Sequence, residues 1–507
     1  MNRRRFIVRG LQSSAVASFP AIFSGCGVAS FDTSRDEAPQ LLDSPFALST
    51  AELRTALGTL GARGADFGEA FVQERRAREI HVEDDTVVHR DEAGLRGAGL
   101  RVVRGQTQGF AATEDVSGAG LLAAATAATA SMSEDEPFVA QPLTPHTRPS
   151  RYPIAEPWGR VRESRPVALL RRVAAEVRAA DPTVTTTRSV WHGADETVLI
   201  ATLDGRLVVD ERPMTRMSIE VTATRNGRSH TAFASMAGRA GLEWYTDAKL
   251  TELANRAGDR VDALFAARQP PQGQMPVVLV AGAGGAVLHE TVARAFEADF
   301  SGGRSPYADA LNRRIADGAV TLVDDPRVTH ERGALNFDDE AQACARTVLV
   351  ENGVARSLLH DRRTAQRFST TSTGSARRTS YRHTPTPRTT CTVFENGGRD
   401  PEELVTAMGR GIIAESIVGG SVDTSTGDYR FHVKHGWLVE KGRRLVPVRD
   451  FDLIGDPMEI LANVQLVGND LAMDPAGWSS RKEGQAVPVS HGMPSVLVSR
   501  LGVASRG

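Results

Sequence analysis

His289 and Glu290 stand side by side in His289-Glu290-Thr291-Val292-Ala293-Arg294-Ala295-Phe296-Glu297. On a helix, such a pair is how several zinc peptidases supply a metal ligand and a general base. The usual second histidine falls four residues on, where a helix returns to the same face, and that position is Ala293. Arg294, the next residue, lies about 140° round a straight helix from His289. By spacing alone the metal motif is half written, and a lone His-Glu pair also serves as a hydrogen-bonded structural pair. Gly282, Gly284 and Gly285 precede the helix, in the place of a phosphate cradle. G-x-G-x-x-G spacing and a Gly-Lys-Ser/Thr are both missing, so nucleotide binding is set aside. The glycines are read instead as letting the helix pack closely on a sheet.

The elements that would position this segment follow from periodicity. The apolar strand Met275 to Val280 leads through the glycines into a helix of about three turns from Ala286. Upstream, Leu53, Leu57 and Leu60 fall at helical spacing behind a Ser49 N-cap. Short strands are expected at 70–72, 79–82, 97–103 and 109–111, forming an antiparallel sheet. Residues 119–131 are alanine-rich and helical, and six prolines from Pro137 to Pro157 then break regular structure. An amphipathic helix from Val167 to Ala180, strands at 197–202 and 218–224, and a helix from Asp247 to Ala267 complete this half. Pro270-Pro271-Gln272-Gly273 marks the boundary. The expected organisation is a mixed N-terminal α+β domain, 49–270, and a β-rich C-terminal domain, 271–507.

Composition narrows the class. The 507 residues are 41% apolar, enough for two or three domains with real cores. Sixty basic residues meet 62 acidic ones, so no bulk field favours nucleic acid or an anionic membrane. No apolar run reaches the roughly 20 residues of a membrane span, and the body is expected to be soluble. The start differs. Arg3-Arg4-Arg5-Phe6-Ile7, the modest apolar stretch Leu11 to Phe23 and Phe23-Ser24-Gly25-Cys26 describe a twin-arginine signal with a lipoprotein-like processing site over 1–26. The expectation is export, to the periplasm or as a lipoprotein anchored at Cys26, with 27–48 as a polar linker. Beyond the signal only Cys344 and Cys391 remain, either one bridge or two buried thiols.

Several short motifs recur in order along the chain. They are Gly99-Leu100-Arg101-Val102, Gly109-Phe110-Ala111, the glycine turn with His289-Glu290, and Glu297-Ala298-Asp299-Phe300. Arg377-Arg378-Thr379-Ser380-Tyr381, Pro385-Thr386-Pro387-Arg388, Gly419-Gly420-Ser421-Val422-Asp423, Val467-Gly468-Asn469-Asp470-Leu471 and Lys482-Glu483-Gly484-Gln485-Ala486-Val487-Pro488-Val489 follow. Together they resemble the TldD/PmbA family of metallopeptidases, over essentially the whole mature chain. The resemblance implies a two-domain α+β protomer that dimerises around a peptide channel. It also implies zinc held by both histidines of HExxxH and a C-terminal cysteine, with the glutamate activating water. Unfolded or modified peptides would bind as extended strands, and a second branch of the family serves as a metal-free partner subunit.

Carried over by position, the resemblance keeps His289 as a metal ligand and Glu290 as the base, with Glu297 behind them. Arg294 stands at the second histidine position and Ser480 at the cysteine position. An arginine cannot bind a cation, and a hydroxyl is a poor zinc ligand beside a thiolate. One of three protein ligands is left, so zinc is expected to be absent or weak here. His491, His432, His435 and Cys391 are the residues that could rebuild a site. Arg377, Arg378 and Arg388 fall where the family lines its channel and are candidates for substrate binding. The expected function is peptide binding by a degenerate or partner subunit, as a homodimer or with another TldD/PmbA-type chain. An active peptidase with a rearranged ligand set is the alternative, and a hydrolase using Ser479 or Ser480 has no Ser-His-Asp spacing behind it.

Overall fold

The computed structural model describes residues 46–132, 135–300, 303–423 and 428–506, all within the unit spanning 38–507. The expected signal 1–26, Cys26 and the linker as far as residue 45 lie outside the described residues. Of the linker's end, Phe46 and Leu48 are buried against the first helix, α1 (Thr50–Gly61). Ser49 caps that helix through a reciprocal box with Glu52: each side chain reaches the other residue's backbone N–H.

The first half is one sheet of eight strands: β1 (Phe67–Glu83), β2 (Thr86–Arg104), β3 (Thr107–Thr113), β4 (Thr144–Pro145), β5 (Val184–Thr202), β6 (Arg206–Glu211), β7 (Met214–Arg225) and β8 (Arg228–Gly238). Spatial order runs β3-β2-β1-β5. The second half of β5 then pairs with β6 and the first half with β7, so the sheet forks. The short strands expected at 70–72 and 79–82 are one strand of 17 residues, β1. Its middle, Arg75-Arg76-Ala77-Arg78, offers no apolar alternation, but β2 and β5 pair with it on both sides and hold it extended. Helices cover the sheet in two groups. α1 and α2 (Gly118–Thr129) pack on one cluster, and α3 (Ser164–Ala180) and α4 (Asp247–Ala266) on another.

The second half opens at Gly273 with β9 (Gly273–Leu279), which passes through the glycine turn into α5 (Gly285–Thr291). The strands that follow are β10 (Leu322–Asp324), β11 (Thr347–Glu351), β12 (Val354–Ala355), β13 (Ala376–Arg377), β14 (Thr386–Pro387), β15 (Cys391–Phe394), β16 (Gly411–Val422), β17 (Tyr429–Glu440), β18 (Arg443–Gly455), β19 (Val464–Val467), β20 (Ala472–Met473), β21 (Trp478–Lys482), β22 (Gln485–Met493) and β23 (Val496–Ser505). β17, β16, β9, β23 and β18 pair in turn, and β18 pairs back to β17, closing a five-stranded ring. Beside it lies a second sheet, β12-β11-β10-β15-β22-β20, with β21 hairpinned onto β22. The fold is α+β with a β-rich C-terminal half, as expected. Among the described residues no helix is long and apolar enough to cross a membrane.

Candidate functional site

α5 is shorter than the three turns expected. It ends at Thr291, and Ala293–Phe296 form a 3-10 segment after a break at Val292 (φ −102°, ψ −58°). The chain is drawn off the helix because Phe296 stacks on Tyr307, centroids 4.3 Å apart, and Ala298 N–H bonds the Leu359 carbonyl at 3.0 Å. The angular offset of Arg294 on a straight helix therefore does not apply.

His289 is buried, and its Nδ1 pairs with the Thr392 hydroxyl of β15 at 2.9 Å. That bond fixes the ring and leaves Nε2 without a hydrogen-bond partner. Burial, with His491, Arg294, Arg388 and Arg377 nearby, holds the imidazole well below its usual pKa, so the ring is neutral. Glu290 Oε1 lies 3.8 Å from His289 Nε2. The other carboxylate oxygen accepts from Arg294 Nη1 at 2.5 Å, and Arg294 Nη2 donates to the Arg481 carbonyl at 2.6 Å. Burial works against the Arg294 charge, but Glu290 and Glu297 outweigh it and raise the guanidinium pKa above its ordinary value.

Ser480, the residue before Arg481 in β21, is fully buried, and its Oγ has no hydrogen-bond partner. Among the described residues none accepts a hydrogen bond from it, as a base activating a nucleophile would. Arg388 donates to the Ser480 carbonyl at 2.6 Å and lies 3.6 Å from Glu297. Glu297 is fully buried and accepts from Lys482 Nζ at 3.0 Å and from the Thr389 N–H at 3.1 Å. Burial raises its pKa, but Lys482, Arg388 and Arg294 overcome that and leave it below the usual carboxylate value. Lys482 also holds Asp299 and the Pro387 carbonyl.

His289, Glu290, Glu297, Arg294, Arg388 and Ser480 therefore converge. Arg377 and Arg378 lie outside this knot. Both are buried and line a cavity between the two halves of the fold. Among the residues weighed as replacement ligands, only His491 reaches the site: its ring centroid is 5.7 Å from that of His289, and neither nitrogen has a hydrogen-bond partner. Cys391 precedes Thr392 in β15, so its side chain points to the opposite face. His432 faces Asp452, and His435 faces Glu415. Cys344 and Cys391 are two separate buried thiols. The sequence did not single out Lys482 or Thr392 for this site.

Residues 68–131, 156–265 and 272–505 match, in turn, the family profiles of PmbA/TldA metallopeptidase domain 1, central domain and C-terminal domain. A metalloprotease TldD homolog from Buchnera aphidicola subsp. Schizaphis graminum is 30% identical over 450 residues, covering 86% of this chain and 92% of the relative. This chain belongs to the PmbA/TldD metallopeptidase family. A solved modulator of DNA gyrase from Thermotoga maritima shares the fold, with a TM-score of 0.72 at 19% identity, covering 90% of this chain and all of the other.

Zinc is named in the family: a zinc metalloprotease TldD homolog from Saccharolobus solfataricus is 29% identical over 235 residues, covering 46% of this chain and 52% of the relative. The residues here do not fit a catalytic zinc ion. Such an ion takes three protein ligands and a water. His289 Nε2 is one open donor and the neighbouring His491 a second at most, but Glu290 is engaged by a guanidinium and Ser480 offers only a neutral hydroxyl. Among the described residues no group of three His, Cys, Asp or Glu side chains is placed to hold a metal.

Proposed function

We propose that this protein is an exported member of the PmbA/TldD family that binds extended, unfolded or modified peptides through a degenerate metal site. On this reading it works as a partner subunit, with any hydrolysis carried out by an intact family member. The observation that carries the reading is the Arg294 guanidinium bridging Glu290 and the Arg481 carbonyl. A fixed cation beside the would-be base disfavours a divalent ion and ties up the carboxylate that would activate water. Peptide binding is supported by family membership, and export by the paired arginines and Cys26 of the first 26 residues.

Metal content tests it: elemental mass spectrometry on protein purified without chelator, for wild type and His289→Ala. Zinc far below one per chain, unchanged by the substitution, supports the degenerate subunit. Stoichiometric zinc that vanishes in His289→Ala overturns it.

A second reading, an active peptidase with a rearranged ligand set, is favoured by one observation: the His491 ring beside His289, with no hydrogen bond at either nitrogen and only the Asp474 carboxylate 3.9 Å from its Nε2. It requires zinc that His491→Ala also removes.

A further inference from the structure

A cavity of about 50 Å³ lies between the first sheet and the C-terminal half, room for one small polar group rather than a large ligand. Five arginines line it, Arg75, Arg212, Arg239, Arg377 and Arg378, against two carboxylates, Glu196 and Asp339. The carboxylates are already engaged. Asp339 pairs with Arg212 at 2.7 Å, and Glu196 accepts from the neutral Gln73 amide while its charge acts on Arg239 and Arg212 without a direct contact. Arg378 takes its counter-charge from Glu69.

Among the described residues Arg377 and Arg239 make no direct carboxylate contact; Asp339 and Asp324 act on Arg377, and Glu196 and Asp210 on Arg239, only from farther off. Arg377 donates only to carbonyl oxygens, Thr389 at 2.7 Å and Pro488 at 2.6 Å. Arg239 is 3% exposed and lies over the Tyr152 ring at 5.1 Å, and its Nε and Nη1 have no hydrogen-bond partner. Burial, with Arg239 and Arg388 close by, lowers the Arg377 pKa to about 10. Burial likewise holds Arg239 below its ordinary value. Buried cations with open N–H groups are costly unless an anion meets them, and a guanidinium suits a carboxylate best in both charge and plane.

We propose that this cavity is a carboxylate site, with Arg239 and Arg377 as its binding cations, and that it receives a carboxylate of a bound peptide. The inference rests on the peptide-binding reading for the source of that group, either the C-terminal α-carboxylate or an acidic side chain. The placement is consistent. Pro488, whose carbonyl holds Arg377, pairs across the β21–β22 hairpin with Ser479, next to Ser480. A peptide anchored here lies one hairpin away from the His289 site.

The test is calorimetric titration of the full chain with an unstructured ten-residue peptide lacking acidic side chains. The same peptide as its C-terminal amide, and that amide with one internal aspartate, complete the set. The free acid is expected to bind wild type at least about tenfold tighter than the neutral amide, the worth of one charge-assisted contact. Tight binding of the aspartate-bearing amide as well shows that the site takes either carboxylate, tight binding of it alone assigns the site to acidic side chains, and weak binding of it assigns the site to the C-terminus. The preference is expected to collapse in Arg239→Met, which replaces a buried cation with open N–H groups by an apolar chain of similar length. Equal affinities for all three peptides in wild type overturn the carboxylate site and leave peptide binding standing, whatever the variant does. If no peptide binds, the peptide reading fails and N-acetylglycine decides the cavity. A rise of about 2 °C in wild-type Tm at about 10 mM, missing from Arg239→Met, upholds an anion site, and no rise overturns it.

Discussion

Arg294 ties the helix that carries His289 to the hairpin that carries Ser480, donating to Glu290 at 2.5 Å and to the Arg481 carbonyl at 2.6 Å. The two contacts join residues four and 187 positions away, and Arg294 itself is 8% exposed. A side chain so placed is part of the architecture of the site as well as an obstacle to a metal.

Replacing Arg294 by alanine leaves Glu290 without its cation and the Arg481 carbonyl without its donor. The expected cost is about 2 kcal/mol, in the range for stranding a partly buried charged acceptor. Urea denaturation should show a lower midpoint with an unchanged slope. A midpoint equal to wild type would mean that water replaces the guanidinium at no cost.

Arg294→His with Ser480→Cys writes the family's ligand set back into this backbone. Imidazole and thiolate beside His289 would make three ligands, the number a catalytic zinc takes. The double variant is expected to carry close to one zinc per chain, against little in wild type or Arg294→Ala. Zinc-free double variant would show that the positions are no longer arranged to meet at one ion.

Much of the frame was legible because it is local. The Ser49 cap before α1 depends on a neighbour three residues away, Glu52. The length of β1 was not legible, since its polar centre is held by β2 and β5 rather than by its own pattern. The glycines of the Gly97–Val103 motif were visible, but not their cause. A Cβ on Gly97 would stand 2.3 Å from the Tyr381 ring, and one on Gly99 would stand 2.4 Å from the Tyr381 carbonyl. Those glycines seat a C-terminal segment against the first sheet. In the site, His289 and Glu290 stood out as an adjacent pair whose roles came from the family resemblance rather than from spacing, whereas the buried charge pairs were not marked at all. Arg101 meets Glu340 across 239 residues and Arg378 meets Glu69 across 309, and nothing in a local window marks such partners.

Cys344 and Cys391 are both buried, and burial raises both thiol pKa values well above the ordinary value. Thiolate is the reactive form, so both should be inert in the native chain. In a Cys26→Ser background, which removes the third thiol, Ellman's reagent is expected to find neither until denaturant is added, and then both. Dithiothreitol should leave Tm unchanged, whereas a fall would reveal a bridge between them.

Asp324 gives the pH dependence a definite sign. It is buried and accepts from the Thr390 N–H at 2.8 Å and from the Thr390 hydroxyl at 2.6 Å. Burial pushes its carboxyl up to about 6, with Thr390 and Arg377 offsetting only part of that effect. The unfolded chain ionises this group near its ordinary value of 3.8, so between about pH 4 and 6 the native state holds the extra proton. Stability therefore falls as pH rises through that window, by about 2–3 kcal/mol for this group alone, and is flat above it. Asparagine keeps the shape: its oxygen can accept from the Thr390 N–H, and its NH2 can donate to the hydroxyl. Asp324→Asn should match wild type near pH 4 and exceed it by about 2 kcal/mol at pH 7. Denaturation curves at both pH values decide this, and equal slopes against pH in the two proteins would show that the carboxylate ionises in the fold without penalty.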